Sequence, residues 1–141
     1  MSLKRLISVV LALAVVLAVA PMSFAQEEIT LTLLTHWGEE ARLAEQQAII
    51  DEYMAANPGV TIELQTVPFD QLLTRIITAR TAGTSPDIYH FYNLWLPEFA
   101  NSGLLAVPPD DIVEDIIAKA PPGVLEGVTA YGQVWGYPTE V

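Results

Sequence analysis

From residue 29 onward the chain alternates between two hydrophobic periods. Ile29, Leu31 and Leu33 fall on one side of an extended segment and Thr30 and Thr32 on the other, so residues 29–34 read as a strand. Residues 39–56 change to helical spacing. Leu43, Ile50 and Met54 form a stripe widened by Ile49 and Tyr53, and Asn57-Pro58-Gly59 stops it. Residues 60–67 return to alternation, with Val60, Ile62 and Leu64 facing one way. A second helix is predicted over 70–82, with Leu72, Leu73, Ile76 and Ile77 as its buried side and Gly83 at its end. Asp87 to Phe91 reads as a third strand. This β-α-β-α-β order predicts a mostly parallel sheet with right-handed crossovers and helices on both faces, an α/β fold.

The pattern weakens after the third strand. A short helix is predicted near 96–101. Asp111 reads as an N-cap, with Glu114 in capping-box position, for a helix over 112–119. Pro121-Pro122-Gly123 reads as a break. Residues 128–131 and 134–137 read as a hairpin turning at Gly132-Gln133.

The first 25 residues follow a different rule. Lys4 and Arg5 precede an apolar run, Leu6 to Ala20, and Ser23 and Ala25 are the small residues a signal peptidase reads. A secretory leader over 1–25 is expected. The run is shorter than the ~20 residues a spanning helix needs. The chain has no Cys, which excludes lipid attachment and disulfides alike. The expected product, residues 26–141, is therefore exported, periplasmic or extracellular, and not a lipoprotein. Charge sharpens this. Six Lys and Arg stand against 17 Asp and Glu; without Lys4 and Arg5 the balance is four against 17, a net −13. Nucleic acid, which needs a basic footprint, is excluded as a partner.

Ligands of an open parallel sheet bind outside the carboxyl ends of its strands. Thr35, His36, Trp37, Gly38 and Glu39 follow the first strand; Pro68, Phe69 and Asp70 the second; Phe91, Tyr92, Asn93, Leu94 and Trp95 the third. Five of the chain's twelve aromatics thus gather at one edge. Phe69 and Phe91 serve equally well as core caps; Trp37 and Trp95, in loops, suit ligand contact better. Aromatic rings beside carboxylates and amides fit a sugar, whose C–H face stacks on a ring for ~1 kcal/mol beyond its buried area. Its hydroxyls need partners such as Glu39, Glu40 and Asn93. Glu39 and Glu40 fit a helix start equally, where acids complement the dipole.

Other chemistries fit less well. His36 with Glu39, Glu40 or His90 matches no zinc spacing. Glu39 and Glu40 are neighbours and cannot face each other across a glycosidic bond. No Gly-rich phosphate loop, Cys nucleophile or G-x-S-x-G elbow is present.

"GTSPDIYHF" followed by "WLPEFANSGLL", the "NPGV" turn and "GQVWGYPTE" together resemble the extracellular solute-binding proteins of ABC importers, in the group that includes maltose-binding protein. The resemblance runs in order from Ile29 to Val141. It implies a two-lobed protein that clamps its ligand between lobes, with residues 26–141 as the N-terminal lobe and the second lobe missing from this chain. It implies ligand contacts at Trp37, Gly38 and Glu39 after the first strand, at Phe91, Tyr92, Asn93 and Trp95 after the third, and at Thr139 and Glu140 after the Tyr-Pro step. It further implies a sugar or oligosaccharide ligand, ABC permease subunits as partners, a monomer, no cofactor, no bound metal and no enzymatic activity. Leu94 and Trp95 stand where maltose-binding protein has an acidic-basic pair, so its oligosaccharide does not transfer. A secreted hydrolase, with Glu140 facing Glu39, and the same fold binding a polyamine are the alternatives.

Overall fold

The computed structural model describes residues 28–139. The expected leader and Glu140 lie outside the described residues. The element order opens as read: β1 (Ile29–Thr35), α1 (Glu40–Ala56), β2 (Val60–Thr66), α2 (Phe69–Ala82) and β3 (Ile88–Tyr89). The three strands form a parallel sheet in the order β2-β1-β3, with β1 in the middle. β1 pairs along its whole length with β2, Ile29 opposite Val60 through Thr35 opposite Thr66. Its pairing with β3 is confined to Leu33 with Ile88 and Leu34 with Tyr89.

The core forms on the side of β1 that alternation had assigned to threonines. Leu34, not Leu31 or Leu33, is the buried residue, and it packs with Leu72 and Ile76 of α2 and with Phe99. A central parallel strand is covered on both faces and carries apolar residues at successive positions, so "LLT" does not alternate cleanly. Two helical stripes are narrower than expected. Leu43, Ile50 and Met54 turn inward on α1, but Ile49 and Tyr53 are exposed; on α2, Ile77 is exposed and Ala79 takes a buried place. The Met54 sulfur accepts the Ile62 backbone N–H of the edge strand β2 at 3.3 Å.

Glycine matters at the end of α2. Gly83 has φ +71°, and the turn lets Gly83 N–H bond the Arg80 carbonyl and Thr84 N–H the Ala79 carbonyl. The chain then enters β3 through Asp87, fastened to β1 across the sheet. The Asp87 carboxylate accepts from the Thr32 backbone N–H at 2.8 Å and its hydroxyl at 2.9 Å. These two bonds, the backbone one first, hold the Asp87 carboxyl below the usual carboxylate range.

Beyond β3 the structure departs further from expectation. Residues 93–95 make a 3-10 turn leading into α3 (Leu96–Asn101). α4 runs over Asp110–Lys119 with Pro109 at the cap, so Asp111 is a first-turn acid and not the capping residue. Pro121-Pro122 starts a helix where a break was expected: α5 (Pro122–Gly127) has Pro122 in its first turn, where the missing N–H costs nothing. The hairpin is β4 (Thr129–Ala130) with β5 (Gln133–Val134), shorter than expected. It turns one residue earlier, at Tyr131 (φ +54°) and Gly132 (φ +76°), the paired positive φ values of a tight hairpin turn. No helix among the described residues is long and apolar enough to cross a membrane.

Candidate functional site

Parallel strands bring three loop starts to one edge, and a single threonine fastens them. Thr35 ends β1 and is fully buried (0% exposed). Its hydroxyl lies 2.8 Å from His90 Nδ1 and accepts the Trp37 backbone N–H at 3.1 Å. Its carbonyl accepts the Val67 N–H, and the Leu34 carbonyl accepts the His90 N–H. The loops after β1, β2 and β3 therefore leave the sheet from one hydrogen-bonded point. Sequence reading passed over Thr35 and His90. The available signal was a polar residue closing an apolar run, with a histidine at the end of another strand.

Above this point the rings form a continuous row. Trp37 lies against His90, centroids 4.3 Å apart. His36 meets His90 at 5.9 Å and Phe69 edge-on at 5.3 Å. Phe69 lies nearly parallel to Trp95 at 5.9 Å, and Tyr92 stands edge-on to both. Trp95 continues to Phe99 in the core. Phe69 is 49% exposed and Tyr92 48%, so this end of the row is open, while Trp95 is half-buried between it and the core.

The other expected residues fall in different settings. Phe91 turns inward, 5.5 Å from the Phe99 ring and packed over Gly136, on the core side of the row. Asn93 is exposed, with its amide beside Gly127 of α5. Gly38 borders open space: a Cβ built there meets nothing within 4 Å. Glu39 is exposed and precedes α1 without a side-chain capping bond. Thr139 lines a separate cavity of about 190 Å³ with Ile116, Val124 and Tyr137. Lys119 edges that cavity and pairs with Asp115 at 2.6 Å, which pushes its ammonium pKa up.

Trp37 carries an unusual combination. The Arg42 guanidinium sits 5.3 Å from its ring centroid. Its indole N–H is closed off from solvent and meets no hydrogen-bond partner; the same is true of His36 Nδ1. Leaving a buried polar group unpaired costs about 1–3 kcal/mol, so native structures rarely do it without reason.

A family model described as bacterial extracellular solute-binding protein matches residues 37–139. The chain belongs to that family. As the name states, its members are extracellular binding proteins. A maltotriose-binding protein of Pyrococcus abyssi is 30% identical to this family member over 92 residues, 65% of this chain and 20% of the relative. A candidate binding protein of Brucella abortus is 36% identical over 86 residues, 57% of this chain and 20% of the relative. The solved structure of a cyclic alpha-maltosyl-1,6-maltose binding protein from Arthrobacter globiformis superposes with a TM-score of 0.60 at 27% identity, covering 74% of this chain and 27% of that one. This solute-binding chain thus spans only about a fifth of the length of the curated relatives it matches.

Proposed function

We propose that this chain is the N-terminal lobe of a two-lobed extracytoplasmic binding protein that carries a sugar or oligosaccharide to the permease of an ABC transporter. It performs no chemistry on its ligand. The observation that carries this reading is the aromatic row at the sheet edge, half-exposed at Phe69 and Tyr92 and ending in unpaired polar atoms at His36 and Trp37. Exposed rings suit the C–H face of a pyranose, and unpaired polar groups suit its hydroxyls. Gly38, Glu39 and Asn93 border the row and are available to further hydroxyls. Phe91 supports the rings from beneath, and Thr139 and Glu140 lead towards the second lobe. That lobe closes over the ligand by a hinge, which supplies the remaining contacts. The maltotriose and maltosyl-maltose ligands named for the two relatives support the substrate class.

The polyamine reading is weakened by one atom. An indole N–H only donates, and so does an ammonium, so neither can satisfy the other. The hydrolase reading requires a carboxylate facing Glu39, with Glu140 as the candidate within the chain.

Calorimetric titration of the full-length gene product against maltose, maltotriose, cellobiose, mannobiose and spermidine tests the proposal. Stoichiometric micromolar or tighter sugar binding without turnover of aryl glycosides is expected (about −8 kcal/mol). Residues 26–141 alone should bind far more weakly, because half the contacts are absent. Turnover, or binding of spermidine in place of sugars, would sink the reading.

A further inference from the structure

Resting on the sugar-binding reading, we infer that Trp37 meets its ligand edge-on, through the indole N–H, and that its ring face is not a stacking platform. The ring is already engaged, with His90 4.3 Å and the Arg42 guanidinium 5.3 Å from its centroid. The residue is also held in place, because its backbone N–H bonds the hydroxyl of the fully buried Thr35, which in turn meets His90 Nδ1. What remains unused is the indole N–H, buried and unpaired. The neighbouring residue repeats the condition: His36 Nδ1 is buried and unpaired as well.

Partner chemistry follows from these atoms. The indole N–H requires an acceptor oxygen. An imidazole nitrogen either donates or accepts, so a group that does both satisfies either tautomer. A hydroxyl supplies both functions. The ligand's hydroxyl-bearing end therefore lies at His36 and Trp37. Its apolar face lies on the exposed Phe69 and Tyr92 rings, with Trp95 parallel to Phe69 behind them. The two halves of the row thus read different parts of one sugar. Because the indole N–H is closed off from solvent, contact requires a cover to move, and the long Arg42 side chain over the ring is suited to that.

The test uses the full-length gene product, calorimetry, and the panel sugar bound most tightly, together with its monodeoxy derivatives. Trp37→Phe keeps a ring and removes the N–H; it should weaken binding about tenfold, the equivalent of one hydrogen bond. In the wild type one deoxy derivative should be penalised by a similar factor, and Trp37→Phe should abolish that penalty. Phe69→Leu should weaken every derivative alike and keep the penalty. If Trp37→Phe binds as the wild type does while Trp37→Ala fails, the ring face is the contact and the inference is overturned. It is also overturned if the wild type binds every deoxy derivative equally. A wild type that binds no panel sugar overturns the functional reading, and this inference with it.

Discussion

Trp37 and Trp135 are both half-buried indoles, and the chain treats them oppositely. In the hairpin, the Trp135 N–H bonds the Ala130 carbonyl at 3.0 Å and its backbone N–H bonds the Val128 carbonyl. At the end of β1 the Trp37 N–H is buried with no partner. The hairpin tryptophan completes its local structure; the loop tryptophan leaves a polar atom over. The same division runs through the sheet edge. Thr35 and Asp87 have their polar atoms engaged with neighbouring strands or loops, whereas the loose ends collect on the two residues after Thr35. Satisfied polar groups mark the frame, and unsatisfied ones mark where a ligand is expected.

The contrast is breakable. Thr35→Val keeps the volume but strips the Trp37 backbone N–H and His90 Nδ1 of their shared oxygen. A loss of about 2–4 kcal/mol is expected in chemical denaturation, because two buried groups become unpaired; a loss under ~1 kcal/mol would show that the loops are fastened elsewhere. Trp135→Phe leaves the Ala130 carbonyl without its donor and should cost about 1–2 kcal/mol in the same measurement.

Asp87→Asn tests the fastening at the other end of β1 through its pH dependence. The Asp87 carboxyl pKa is lowered in the folded state, so its contribution is complete above the ordinary carboxyl value of about 3.9 and disappears as pH falls through the depressed one. The melting temperatures of wild type and variant should therefore differ at neutral pH and converge in strong acid. A constant gap would mean that the charge is irrelevant. The smallest stability effect belongs to Trp37→Phe. Removing an unpaired donor should leave stability within about 0.5 kcal/mol of wild type, in either direction. A loss like that of Trp135→Phe would make the two tryptophans equivalent and remove the contrast.

The first 60 residues of the described fold were legible because their elements are long and periodic. β1, α1, β2 and α2 begin and end within one or two residues of the positions read from spacing alone. The later elements are short, and local rules collide there. Pro122 was taken as a helix breaker, yet at a first helical turn proline is favourable. Glu114 suggested a cap at Asp111, but Pro109, with its fixed φ, holds the cap position and both Asp residues fall inside the helix. The third strand is shorter than 87–91 because β1 is its one neighbour and the chain turns into the 3-10 segment at Asn93. At the candidate site, spacing identified which loops converge. It could not show that Phe91 faces the core while Phe69 stays open, since both follow strands with similar patterns. Nor could it show the link between Thr35 and His90, 55 residues apart, which exists only after the strands pair.

The position of β1 between its two neighbours has a consequence for how such a lobe diversifies. Each strand delivers one loop to the edge, and the loop of the middle strand lies between the other two. The fastening beneath them uses main-chain groups, one threonine and one histidine, so most loop positions above it take no part in holding the sheet together. Substitutions at positions such as 38, 69 and 92 change what the edge recognises while leaving the frame as it was. A lineage built on this arrangement can exchange one ligand for another by small steps, with no intermediate that fails to fold.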